Sequence, residues 1–99
     1  MNIFWTDTAV QHLSAIYSYI AQNSPAYAEI VIDRLTRRSQ QITKFPLSGR
    51  VVSEFETPQI REIIEGSYRI IYYIKADQID ILAVLHGSQK IQPFKDVSE

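Results

Sequence analysis

The sequence predicts an α+β domain in which an N-terminal strand and an antiparallel helical hairpin pack on a mainly antiparallel sheet. Three observations carry this. Between residues 7 and 44 apolar residues recur at helical spacing, in two runs parted by Asn23-Ser24-Pro25. From residue 61 to His86 the period changes to two, in three runs rich in Ile, Tyr and Val. The links between those three runs are Gly66-Ser67 and Lys75-Ala76-Asp77-Gln78. Links this short join antiparallel neighbours, because a parallel crossover takes about a dozen residues or more.

Asn2-Ile3-Phe4-Trp5 reads as a short strand. Thr6 then fits a helix N-cap, with Asp7 in the first turn, where the exposed N–H groups favour negative charge. Ala9, Leu13, Ile16 and Ile20 form one apolar stripe, so a helix is expected over 7–22. Ser24 before Pro25 is a restart signal, a capping side chain followed by a residue whose missing N–H costs nothing at the first helical position. Ala28, Ile32, Leu35, Ser39 and Ile42 continue a second stripe to about Lys44, where Phe45-Pro46 stops it. Residues 47–59 are the least regular part, with turn chemistry at Ser48-Gly49 and Thr57-Pro58. Strands are expected over 61–65, 68–74 and 79–86, the first two joined by a type II′ turn at Gly66-Ser67.

Ninety-nine residues make one domain, 1–99, with a single core. There is no cysteine, and the two histidines stand far apart, so neither a disulfide framework nor a metal site is expected. No residues point to a cofactor. The N-terminus lacks the charged-then-apolar pattern of a signal peptide, and no apolar run approaches the roughly 18 residues that a membrane span needs. The expectation is a cytoplasmic protein with no membrane contact. The net charge of −1 gives no global attraction to nucleic acid. The charges are uneven, however. Arg34, Arg37, Arg38, Lys44 and Arg50 fall within residues 34–50 with no acid among them, which reads either as a solvated face or as a basic patch.

Register sharpens the reading of the sheet. Pairing Ile74 with Ile79 across the four-residue turn places Tyr72 opposite Ile81, Ile70 opposite Ala83 and Tyr68 opposite Leu85. These side chains then share one apolar face, which must pack on the helices. The other face carries Arg69, Ile71, Tyr73, Asp80, Leu82, Val84 and His86. Pairing Glu65 with Tyr68 adds Glu62 and Ile64 to it. Glu62, Arg69 and His86 are thus expected on one open face, and a slip of one residue in either hairpin would separate them. A carboxylate, an arginine and a histidine together are able to cleave a phosphodiester. The imidazole would transfer a proton near neutral pH, the guanidinium would neutralise the phosphate, and the carboxylate would take a hydroxyl proton. The same residues also read as a structural Arg69–Glu62 ion pair and a histidine at a strand end. His12, on an exposed helix face, carries no site reading. Ile71, Leu82 and Val84 make the open face too apolar to stay bare, so either the C-terminal segment around Phe94 or a partner should cover it.

Along nearly its whole length the chain resembles the RelE/ParE toxin superfamily of bacterial type II toxin–antitoxin systems. The resemblance rests on the order and spacing of several short pieces. They are Trp5 and Ala9, Leu13-to-Tyr19-Ile20, Ser24-Pro25 with Ala28, and Phe45-Pro46-Leu47-Ser48-Gly49-Arg50. Arg61-Glu62, Tyr68-Arg69-Ile70-Ile71-Tyr72 and Val84-Leu85-His86-Gly87 complete them. It implies a growth-inhibiting toxin, with two helices on a curved sheet, that a cognate DNA-binding antitoxin neutralises. It also implies one of two mechanisms: RelE-like members cut messenger RNA on the ribosome, and ParE-like members poison DNA gyrase without being enzymes. On the RelE-like side, Arg69 matches a phosphate-binding arginine, His86 resembles the histidine of YoeB-like relatives, and Glu62 is a candidate base.

The ParE-like branch is the closer likeness. RelE-like toxins are typically rich in lysine and arginine, as docking on ribosomal RNA requires, whereas this chain has a pI near 6.1. The Val-Leu-His-Gly ending also looks ParE-like. After it, Ser88-Gln89-Lys90 departs from the arginine that the family commonly carries; Lys90 keeps the charge but not the fork of donors. The expectation is therefore a gyrase-poisoning toxin, with Arg69, His86, Lys90 and Arg50 as target-binding candidates. The alternatives are a metal-independent, ribosome-dependent endoribonuclease using Glu62, Arg69 and His86, and a non-toxic relative acting in an autorepressing antitoxin complex.

Overall fold

A computed structural model describes residues 1–89. Two helices lie on one face of a five-stranded sheet. In chain order the elements are β1 (Asn2–Trp5), α1 (Asp7–Ala21), α2 (Pro25–Ile42), β2 (Arg50–Val51), β3 (Ile60–Glu65), β4 (Tyr68–Ile74) and β5 (Gln78–His86), with a 3-10 turn at Pro46–Ser48. The sheet order is β1-β5-β4-β3-β2. Among the described residues only the β1–β5 pair is parallel, and the helical hairpin leads from β1 at one edge of the sheet to β2 at the other.

Both helix starts form as their sequences require. The Thr6 hydroxyl accepts the Ala9 N–H, and the Ser24 hydroxyl accepts the Tyr27 N–H, with Pro25 in the first turn of α2. Ala9, Val31, Leu35 and Ile42 bury against Ile70, Tyr72, Ile79 and Ile81, and Leu13, Ile16 and Ile20 close the edges of that cluster. Glu65 pairs with Tyr68 across Gly66, which takes φ +58. No non-glycine residue among those described has positive φ, so Ser67 rules out the type I′ turn and leaves the expected II′ form.

The structure corrects the sequence reading at three places. The first is the β4–β5 register. Ile74 faces Ile79 and Tyr72 faces Ile81 as expected, but Ile71 faces Ala83, leaving Leu82 without a partner. This β-bulge adds one residue to β5 and reverses the side on which each later residue stands. Ile70 therefore pairs with Val84 rather than Ala83, and Tyr68 with His86 rather than Leu85. Val84 enters the core under the helices, while Ala83 and Leu85 move to the opposite face.

The second correction concerns that opposite face. Val52 and Phe55, from the irregular segment, fold back on Ile60, Ile71, Leu82, Ala83 and Leu85 and make a second apolar cluster. The segment is thus a cover for the sheet. Phe94, whose segment is one of the two covers expected, a partner being the other, lies outside the described residues. The third is β2, which has two residues and so no periodicity for a sequence to display. It pairs with β3 and places Arg50 directly opposite Glu62.

Three of the five cations in the basic run of residues 34–50 have acidic partners. Arg37 pairs with Asp33 one turn away, Arg38 approaches Glu65 at 3.6 Å, and Arg50 pairs with Glu62. Among the described residues no helix is long and apolar enough to cross a membrane.

Candidate functional site

Two faces of the sheet carry the residues singled out by sequence. On the open face, β3 and β4 bring Glu62 and Arg69 together because Ile64 and Ile71 pair with Arg69 and Glu62 in the same register. The Glu62 carboxylate is nearly buried, and an arginine holds each of its oxygens. Arg69 Nε donates to Oε1 at 2.6 Å and Arg50 Nε donates to Oε2 at 2.8 Å. The two guanidiniums differ in exposure. The Arg69 side chain is 12% exposed and the Arg50 side chain 71%. Arg69 also donates from Nη1 to the Gln89 carbonyl at 2.8 Å. The cluster carries one negative and two positive charges, so a net positive charge faces solvent through Arg50.

His86 stands on the other side. The bulge at Leu82 puts it beside Tyr68, ring edge against ring face, with centroids 5.9 Å apart and planes at 83°. Its Nδ1 lies 3.1 Å from the Ser88 hydroxyl, and its backbone N–H donates to the Gln89 side-chain oxygen at 2.7 Å. The expectation that Glu62, Arg69 and His86 share one face is thus corrected: the first two do, and His86 does not. Instead His86 and Tyr68 line an open groove of about 500 Å³ with Ala15, Ile16, Tyr19 and Gln89. Burial raises the Tyr68 hydroxyl above its usual pKa, and the Tyr27 and Tyr19 hydroxyls push in the same direction. Lys90 lies outside the described residues. Among those described, no three His, Cys, Asp or Glu side chains gather in a way that would hold a metal ion.

Sequence reasoning missed two contributors and one pairing. Arg50, already a target-binding candidate, meets Glu62 through a strand too short to show a pattern. Gln89 links the two sites, since its carbonyl holds Arg69 and its side chain holds the His86 backbone. His12, expected to be exposed, is half-buried, and its Nδ1 accepts the Val84 N–H at 3.1 Å, just past the bulge. No local signal marks that role, because it depends on where α1 crosses β5.

Burial lowers the His12 pKa from its ordinary 6.5, since an imidazolium there would be poorly solvated and would have no acceptor lone pair for Val84. The unfolded chain binds the proton more readily than the folded one. The His12 contribution to stability is therefore complete above about pH 6.5, is lost as pH falls from there through the folded-state pKa, and levels off below it. His12→Asn retains an acceptor oxygen in place of Nδ1 but does not titrate. Thermal melts between about pH 7.5 and 5.5 are expected to show a steeper fall in Tm for the wild type than for His12→Asn. Parallel curves would mean that His12 does not titrate in this range.

The comparisons with known proteins agree with this architecture. A family described as "ParE toxin of type II toxin-antitoxin system, parDE" matches residues 3–91. The chain is similar to Toxin RelE2 of Caulobacter vibrioides, with 30% identity over 89 residues that cover 89% of this chain and 97% of that one. Among solved structures, one described as "Chromosomal ParDE TA system from P. aeruginosa" has a TM-score of 0.72 at 22% identity, covering 87% of this chain and 95% of that chain. The YoeB dimer from Staphylococcus aureus shares the fold with a TM-score of 0.59 at 16% identity, over the same shares of each chain. The helical hairpin on a mostly antiparallel sheet and the match across residues 3–91 place this chain in the ParE toxin family of type II toxin–antitoxin systems, whose toxins pair with a cognate antitoxin.

Proposed function

We propose that this toxin arrests growth by poisoning DNA gyrase rather than by cutting RNA. The observation that carries the reading is the separation of the groups needed for proton transfer. A general base must reach the proton that it takes. Both oxygens of Glu62 are already engaged by Arg50 and Arg69, and the side chain is 8% exposed. His86, the other proton-transfer group, stands across the sheet. The arrangement supplies positive charge and a shaped surface, which suffice for holding a macromolecule in an inactive complex. In this reading Arg50 faces the target on one side with the nearly buried Arg69 behind it, and His86 borders a contact groove on the other, with Lys90 a further target contact. The cognate antitoxin neutralises the toxin by occupying one or more of these surfaces.

The test combines two measurements. Purified toxin is incubated with gyrase, ATP and relaxed plasmid, with and without antitoxin; loss of supercoiling or trapped linear DNA, relieved by antitoxin, is the expected result. In cells, His86→Ala is expected to leave messenger RNA intact and to weaken the arrest without abolishing it, because it removes a groove contact and no proton-transfer step. Unaffected gyrase at high toxin excess would sink the mechanism for that gyrase. Arrest abolished by His86→Ala, together with ribosome-dependent cleavage by the wild type, would instead establish the ribonuclease. If neither activity appears, the partner role in an autorepressing complex remains.

A further inference from the structure

Hydrophobicity does not choose the register at the end of β5. Ala83, Val84 and Leu85 are all apolar. A slip of one residue therefore exchanges Val84 and His86 for Ala83 and Leu85 against the helices, and both sets are buriable there. A strand patterned so weakly holds its register poorly unless polar contacts fix it.

The edge of β5 that faces β1 shows which contacts do so. Ile81 presents its carbonyl to this edge, where the Thr6 N–H donates at 3.1 Å and the Thr6 hydroxyl at 2.8 Å. In a regular strand the residues that turn their N–H and C=O to one edge alternate, so Ala83 would be next. Here the next N–H to meet a partner on α1 belongs to Val84, which donates to His12 Nδ1. A spacing of three in place of two is the bulge as seen from the edge. β1 pairs with β5 only as far as Trp5 opposite Ile81, so it does not extend to Val84. Helix α1 takes its place, with Thr6 at one end of the bulge and His12, six residues on, at the other. The Thr6 hydroxyl also lies 3.4 Å from the carbonyl of the extra residue, Leu82.

We propose that His12 is the positioning residue that decides on which side of the sheet His86 stands. By accepting the Val84 N–H it selects the bulged register and holds His86 beside Tyr68 and the groove. Without that acceptor the N–H is unpartnered, and the register that returns His86 to the face of Glu62 and Arg69 becomes competitive. The inference is independent of which macromolecule the toxin attacks.

Solution NMR on the full chain tests this. In the wild type, His12 is expected as the Nε2–H tautomer, with a through-hydrogen-bond coupling between Nδ1 and the Val84 nitrogen; an Nδ1–H tautomer overturns the proposal. His12→Asn, which keeps an acceptor at the same branch point, is expected to retain the cross-peaks between the His86 and Tyr68 rings and a protected Val84 amide. His12→Leu is expected to lose both and to gain cross-peaks from the His86 ring to the Arg69 side chain. If folded His12→Leu keeps the His86–Tyr68 cross-peaks, the Thr6 contacts and the bond that the Gly87 N–H donates to the Ser67 carbonyl at 2.7 Å suffice, and the proposal fails. If His12→Leu does not fold, His12→Asn decides. Retained ring contacts with a protected Val84 amide support the proposal, and retained contacts with an unprotected amide overturn it.

Discussion

Gly49→Ala is expected to destabilise this protein by about 3 kcal/mol, through overpacking and two disrupted hydrogen bonds, and to lower Tm by roughly 10–20 °C. The reason is steric and local. A Cβ at position 49 would press on the Tyr72 hydroxyl and lie 2.6 Å from the Glu62 carbonyl oxygen. The Glu62 carbonyl belongs to the β3 backbone and cannot move alone. The Tyr72 hydroxyl is equally fixed, because it donates to the Pro46 carbonyl at 2.6 Å and accepts the Gly49 N–H at 3.0 Å. Burial raises the Tyr72 pKa, opposed by the Gly49 N–H and by Arg61 and Arg38, and the hydroxyl remains the donor that Pro46 requires. Arg61 reinforces the same loop by donating to the Gly49 and Pro58 carbonyls. Tyr72→Phe keeps the ring but removes both bonds, and about 1–3 kcal/mol should go with it. Equilibrium denaturation of the two variants is the measurement. A Gly49→Ala cost under about 1 kcal/mol would mean that the Pro46–Arg50 segment yields easily and that β2 is not anchored by this contact.

Glu62→Ala should cost about 3 kcal/mol or more, since it leaves the nearly buried Arg69 guanidinium without its counter-charge. Arg50→Ala removes the other half of the cluster but should cost only about 0–1 kcal/mol, because that guanidinium is largely in water. Replacing Glu62 and Arg69 together by methionine removes both charges at similar volume and should restore most of the loss, as buried pairs commonly tolerate apolar replacement. Comparable losses for Glu62→Ala and Arg50→Ala would refute this account of the cluster. The folded double variant has a second use. Growth arrest lost with the fold intact would assign Arg69 to target contact, and arrest retained would leave it a purely structural role.

The local elements were legible because each rests on short-range physics. Thr6 and Ser24 cap the helices, Pro25 starts one, Gly66 turns a hairpin, and a period of two marks the three long strands. The Glu62–Arg69 pair was legible for the same reason, since one tight turn and four consecutive pairings connect them. What the chain alone left undecided involves partners far apart in sequence. Residues 83–85 are uniformly apolar, so no pattern in β5 shows the bulge. The acceptor that meets it comes from His12, 72 residues away. Arg50 reaches Glu62 through a strand of two residues, and Val52 and Phe55 cover the open face from a segment with no periodicity of its own. Layers and hairpins could be read from the chain, because caps, turns and periodicity act between neighbours, and the family likeness followed from the order of those pieces. The side of the sheet that holds His86 emerges with the packed fold, because one backbone N–H finds its acceptor on a helix that crosses above it.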